Sequence, residues 1–76
     1  MKIEVLGPGC KNCKTLFENA RKAVSETGVA AEVVKVEEMQ KILAYGILKT
    51  PGLAIDGQIK FSGRVASAEE IKTFLE

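Results

Sequence analysis

The chain has 76 residues, 11 basic against 10 acidic, a formal net charge of +1 and no histidine. That length makes one domain, 1–76, near the lower limit for a self-sufficient hydrophobic core, and so balanced a charge excludes a molecule-wide electrostatic surface for nucleic acid. Without histidine, histidine-assisted nucleophiles and mixed cysteine–histidine zinc sites are excluded, and the apolar run in "MKIEVLGPGC" is too short for a signal peptide or a membrane helix.

In chain order, "KIEVLG" reads as a short strand with β-branched residues, ended by Gly7-Pro8-Gly9. From Cys10 the period changes. Cys13, Leu16, Phe17, Ala20 and Val24 fall at helical intervals, Lys14, Glu18, Arg21, Lys22 and Glu26 lie largely on the other faces, and Gly28 is placed to cap the helix. "AEVVKV", residues 31 to 36, is a second strand, apolar enough to be buried on both faces. Met39, Ile42 and Leu43 mark a short amphipathic helix, with Glu37 and Glu38 at its start where the dipole favours them, and Gly46 at its end.

"LAI" and "QIKF" flank Asp56-Gly57, a strong type I′ hairpin signal. Ser67-Ala68-Glu69-Glu70 is a capping box, and the helix it opens buries Ile71, Phe74 and Leu75. The order is therefore β-α-β-α-β-β-α. Two β-α steps predict parallel neighbours joined by right-handed crossovers, and the hairpin adds an antiparallel pair. Helices on both faces would cover one small mixed sheet of four strands.

The two cysteines, three apart in "GPGCKNCKT", carry the chemistry. In a chain without a secretory signal such a pair is more often catalytic, redox-sensing or metal-binding than a structural staple, and a reducing, cytoplasmic setting is expected. Cys10 falls at or just before the first helical turn, where unpaired N–H groups and the positive dipole end favour a thiolate. Lys11 and Lys14 add positive charge, and Lys11 is the candidate for tuning the Cys10 thiol. Cys13, one turn in, faces the core. That asymmetry suits a two-step exchange, with Cys10 attacking a partner disulfide and Cys13 resolving the mixed disulfide. Two other readings stay open: two small core residues that happen to be three apart, or a pair of thiolates for a soft monovalent copper ion.

Strand, "GPGCKNC", helix, strand and helix, followed by "YGILKTPGLAIDG" and "FSGRVASAEEIKTFL", resemble the thioredoxin superfamily over essentially the whole chain. The likeness is greatest to its minimal members, the small glutaredoxin-like or thioredoxin-like redox-disulfide proteins. The resemblance implies a thioredoxin-like α/β fold and a redox-active Cys10–Cys13 disulfide with no further cofactor and no metal. It also implies a cis Thr50–Pro51 peptide against the cysteine pair, with the Thr50 backbone offered to an extended substrate segment. By the family's spacing, Glu4, six positions before Cys10, is a candidate proton acceptor for the resolving cysteine; otherwise it is a solvated glutamate on a strand.

The chain departs from that family at Gly9, where typical thioredoxins carry tryptophan, and at Lys11-Asn12 between the cysteines. The expected function is thiol–disulfide oxidoreduction. Its expected partners are protein disulfides and an electron-donating reductase or small thiol, with the chain acting as a monomer and without nucleic acid or membrane. Lys11, Lys14 and Lys49 are placed to ring the active face for an acidic partner. The rival class is a soft-metal carrier resembling the small copper chaperones, which share C-x-x-C after a first strand. Those carry methionine where this chain has Pro8, and they end in a strand rather than a capped helix.

Overall fold

The computed structural model describes residues 1–9 and 11–75. The elements are β1 (Lys2–Leu6), α1 (Lys11–Thr27), β2 (Glu32–Val36), α2 (Met39–Ala44), β3 (Gly52–Ile55), β4 (Gln58–Ser62) and α3 (Ala68–Leu75). They form one four-stranded mixed sheet in the order β2-β1-β3-β4. β1 runs parallel to β2 and antiparallel to β3, and β3 runs antiparallel to β4. This is the α/β arrangement expected from the resemblance, with helices on both faces.

Period-two alternation along β1 divides the core. Ile3 and Val5 join Leu16, Ala20 and Ala23 of α1 and Ile71 and Leu75 of α3 on one face. Leu6 points to the other face and packs with Val36, Ile42 of α2, Ile47 and Ala54. All four residues of β3 are buried because this strand lies inside the sheet with a helical layer on each side. Each fully buried leucine or isoleucine contributes about 1.5–3 kcal/mol of transfer free energy, so the two apolar clusters hold the layers together.

Two expectations about the sheet are corrected. β2 was expected to be buried on both faces, yet Val36 alone of its five residues is buried. The strand is at the sheet edge, where its apolar run meets only part of α1. The second β-α step does not produce a parallel neighbour. β3 enters beside Leu6 and leaves beside Ile3, so it is antiparallel to β1. The cause is length: the six residues of α2 rise about 9 Å, against about 17 Å for the five residues of β1, so the chain re-enters the sheet at the end it left. That reversal brings the Thr50–Pro51 segment to the C-terminal end of β1.

Local signals act as their chemistry requires. Asp56 and Gly57 both have positive φ, 50° and 85°, as a type I′ turn needs. Asp56 also accepts the Lys2 N–H at 2.8 Å on Oδ1 and donates its own N–H to the Lys2 carbonyl, which fastens the hairpin tip to β1. Ser67 Oγ accepts the Glu70 N–H at 3.2 Å, one half of the capping box. The other half is replaced, because the Glu70 carboxylate pairs with the Arg64 guanidinium instead.

Candidate active site

β1 stops at Leu6 because the next three residues, Gly7-Pro8-Gly9, leave the sheet toward α1. Gly7 still donates its N–H to the Val36 carbonyl at 2.9 Å, one rung beyond the strand. Its φ is not left-handed, so conformation does not explain the glycine. Space does. A Cβ at Gly7 would overlap Cys13 Sγ, and would stand 3.1 Å from Cys13 Cβ and 3.8 Å from Thr50 Cβ. The sulfur, the end of β1 and the Thr50 side chain therefore meet at one point.

Cys13 lies one turn into α1 on the helix face shared with Leu16 and Ala20, and only 5% of it is exposed. It is disulfide-bonded. The chain's other cysteine, Cys10, lies outside the described residues, and so do the expectations of its exposure and its nucleophilic role. Lys11 is the first residue of α1 and is exposed.

The Thr50–Pro51 peptide is cis. Pro51 is buried, Thr50 is half-buried, and the Pro51 carbonyl accepts the Gly63 N–H at 2.8 Å, which ties this loop to the end of β4. Gly63 lies with φ at +80° against the Lys49 side chain, whose Cβ and Cδ would be 3.1 and 3.3 Å from a Cβ there.

A pocket of about 20 Å³ opens beside Cys13, large enough for about one water molecule. It is lined by Val5, Gly7 and Gly9 with Cys13, and by the charged residues Lys14, Lys35 and Glu37. Glu37 was expected to serve the start of α2. Instead its Oε2 stands 2.7 Å from where a Cβ at Gly9 would be, and Gly9 adopts φ of +93°. The N-cap position of α2 is taken by Glu38, without a side-chain hydrogen bond. Lys35, level with Val5 in the β1–β2 register, also lies over the Phe17 ring with Nζ 4.7 Å from its centroid.

Glu4, the candidate proton acceptor, is placed by the same alternation that divides the core. Val5 faces the Cys13 pocket, so its neighbour Glu4 faces the opposite side of the sheet. There its carboxylate accepts a hydrogen bond from the Tyr45 hydroxyl, just beyond α2. That bond, with burial and the Glu4 charge adding to it, raises the Tyr45 pKa above the usual tyrosine value.

Of the residues singled out from sequence, the fold brings together Cys13, Lys14 and Thr50 near one sulfur. Glu4 it places elsewhere. Gly7, Lys35 and Glu37 were not read as site residues. Gly7 looked like a simple strand terminator, and Lys35 and Glu37 owe their place to the pairing of β2 with β1, which no local spacing discloses.

A family profile described as "Thioredoxin domain" matches residues 1–76. The chain is 55% identical over 75 residues to "Thioredoxin" of Methanothermobacter thermautotrophicus, covering 99% of this chain and 97% of that protein. It is 43% identical over 74 residues to "Thioredoxin" of Methanocaldococcus jannaschii, covering 97% and 85%. With a disulfide-bonded Cys13 beside the cis proline loop at the end of β1, these matches show that the chain belongs to the thioredoxin-domain family and is a thiol–disulfide oxidoreductase.

Proposed function

We propose that Cys10 and Cys13 form the redox couple and exchange a disulfide with proteins or small thiols. One observation carries this reading: Cys13 is a nearly buried disulfide sulfur at a point where Gly7 and Thr50 also converge. The chain has only one other cysteine to pair with it. In the reductive direction the Cys10 thiolate attacks a substrate disulfide, forming a mixed disulfide and releasing the first substrate thiolate. Cys13, deprotonated, then attacks Cys10 Sγ. The Cys10–Cys13 bond forms, the bond to substrate breaks, and two electrons have passed to the substrate, which leaves as a dithiol.

Lys11, exposed at the first position of α1, supplies positive charge that favours the Cys10 thiolate. Thr50 and Pro51 form the substrate edge, with an extended segment lying along the Thr50 backbone. No separate cofactor takes part. Partners are disulfide-bearing proteins and an electron-donating reductase or small thiol, the chain works as a monomer, and the setting is the reducing cytoplasm. No helix among the described residues is long and apolar enough to cross a membrane.

The test follows reduction of insulin by dithiothreitol in the presence of the parent, Cys10→Ser and Cys13→Ser proteins. The parent should accelerate it and Cys10→Ser should not. Cys13→Ser should accumulate as a mixed disulfide visible by mass spectrometry, since no second thiol releases the substrate. Turnover by Cys10→Ser would reverse the roles. A reduced parent that fails to exchange yet binds monovalent copper tightly would remove the reading.

A further inference from the structure

We propose that Glu37 takes the proton from the Cys13 thiol in the resolving step, through one water in the pocket that both residues line. The inference rests on the two-step exchange above and adds to it the residue that receives the proton. Only a thiolate attacks, so Cys13 must lose a proton before it can displace the substrate from Cys10. Cys13 is 5% exposed, and burial of this kind disfavours the charged form of a thiol. A nearby acceptor removes that obstacle.

The pocket supplies the route. It adjoins Cys13, holds about 20 Å³, and is lined by Glu37 as well as by Cys13. Glu37 is the one carboxylate lining it among the described residues. Its Oε2 lies against Gly9, in the place a side chain there would fill, so the carboxylate is directed at the segment leading into the cysteine pair. Lys14 from α1 and Lys35 from β2 are the other charged groups facing this space, and both stabilise the thiolate once it forms. Glu4, the acid that spacing alone suggested, is on the other face with Tyr45.

The Cys13 thiol gives its proton through the water to the Glu37 carboxylate, and the Cys13 thiolate attacks Cys10 Sγ. The bond between Cys10 and the substrate sulfur breaks, the substrate leaves as a thiolate, and it takes up a proton from solvent or from Glu37. No further oxidant or reductant is needed.

Stopped-flow mixing of the fully reduced protein with excess dithiodipyridine, an uncharged aromatic disulfide, separates the two steps as two successive releases of thiopyridone. Glu37→Gln should leave the first phase within about twofold of the parent. It should slow the second roughly ten- to a hundredfold near neutral pH, at the lower end of general-base effects, with the deficit narrowing as pH rises and hydroxide takes over. Glu4→Gln should leave the second phase at the parental rate.

The sign of the effect excludes a purely electrostatic role. If Glu37 acted only through its charge, removing that charge beside the thiol would favour the thiolate and speed the second phase. A second phase at or above the parental rate in Glu37→Gln overturns the proposal, and so does equal slowing of both phases at every pH. A parent that releases thiopyridone in no second phase would instead remove the exchange reading itself.

Discussion

Replacement of Gly7 by alanine tests whether the site is built by close packing. Gly7 keeps its N–H bond to the Val36 carbonyl after the change, and its φ accepts an L side chain. The added methyl would overlap Cys13 Sγ and crowd Cys13 Cβ at 3.1 Å. Cys13 cannot simply retreat, because it sits inside α1 next to the fully buried Leu16 and Ala20. Inserting a methyl into a packed site costs about 1–3 kcal/mol.

The overlap with a sulfur that cannot retreat puts the crowding cost at about 2–3 kcal/mol. Stiffening the unfolded chain by Gly→Ala returns about 0.4–1 kcal/mol, so a net loss of about 1–2.5 kcal/mol is expected. For a domain of this size that lowers Tm by about 5–15 °C. Thermal unfolding followed by circular dichroism gives the value. The same substitution in a Cys13→Ala background supplies the control, comparing Gly7→Ala with Gly7 within each background. Without the sulfur the loss should shrink, though the crowding at Cβ persists. A Gly7→Ala protein as stable as its parent, or a loss that is undiminished in Cys13→Ala, would show that the sulfur does not occupy this place.

Tyr45 should ionise above the ordinary tyrosine range, because its hydroxyl donates to Glu4; as the chain has one tyrosine and no tryptophan, ultraviolet absorbance reports it directly. With the folded pKa raised, the stability from this contact is full below the ordinary tyrosine pKa and lost as pH rises through the raised value, and Glu4→Gln should return the titration toward the ordinary range. Ile71→Ala should cost about 2–5 kcal/mol, since Ile71 is fully buried between the helices and sheet and the space it leaves cannot be refilled by its neighbours. Leu48→Ala, by contrast, should stay within about 0.5 kcal/mol of the parent in denaturant unfolding, because Leu48 is 93% exposed.

Short-range chemistry made much of this protein legible from its residues. The order of seven elements follows from changes of period. The hairpin follows from Asp56-Gly57, and the start of the last helix from Ser67 three residues before Glu70. The cysteine pair at a helix start and the Thr50-Pro51 segment marked the functional end of the sheet. Each of these signals acts within a few residues, through backbone conformation, a local hydrogen bond or a helical face, so the chain carries it wherever the element goes.

Docking decided the rest. Alternation told that Glu4 and Val5 oppose one another, but only the packing of α1 over Val5 and of the α2 segment over Glu4 decided which of them meets Cys13. An apolar run such as "AEVVKV" reads the same at an edge as at the centre of a sheet, and β2 became an edge because β3 entered on the other side of β1. The antiparallel entry of β3 brought Thr50 to Gly7 and Cys13, and the β1–β2 register brought Lys35 and Glu37 to the same pocket. These neighbours are far apart along the chain. No local preference encodes their meeting; it is a consequence of how layers with buried faces on both sides can close over a single sheet.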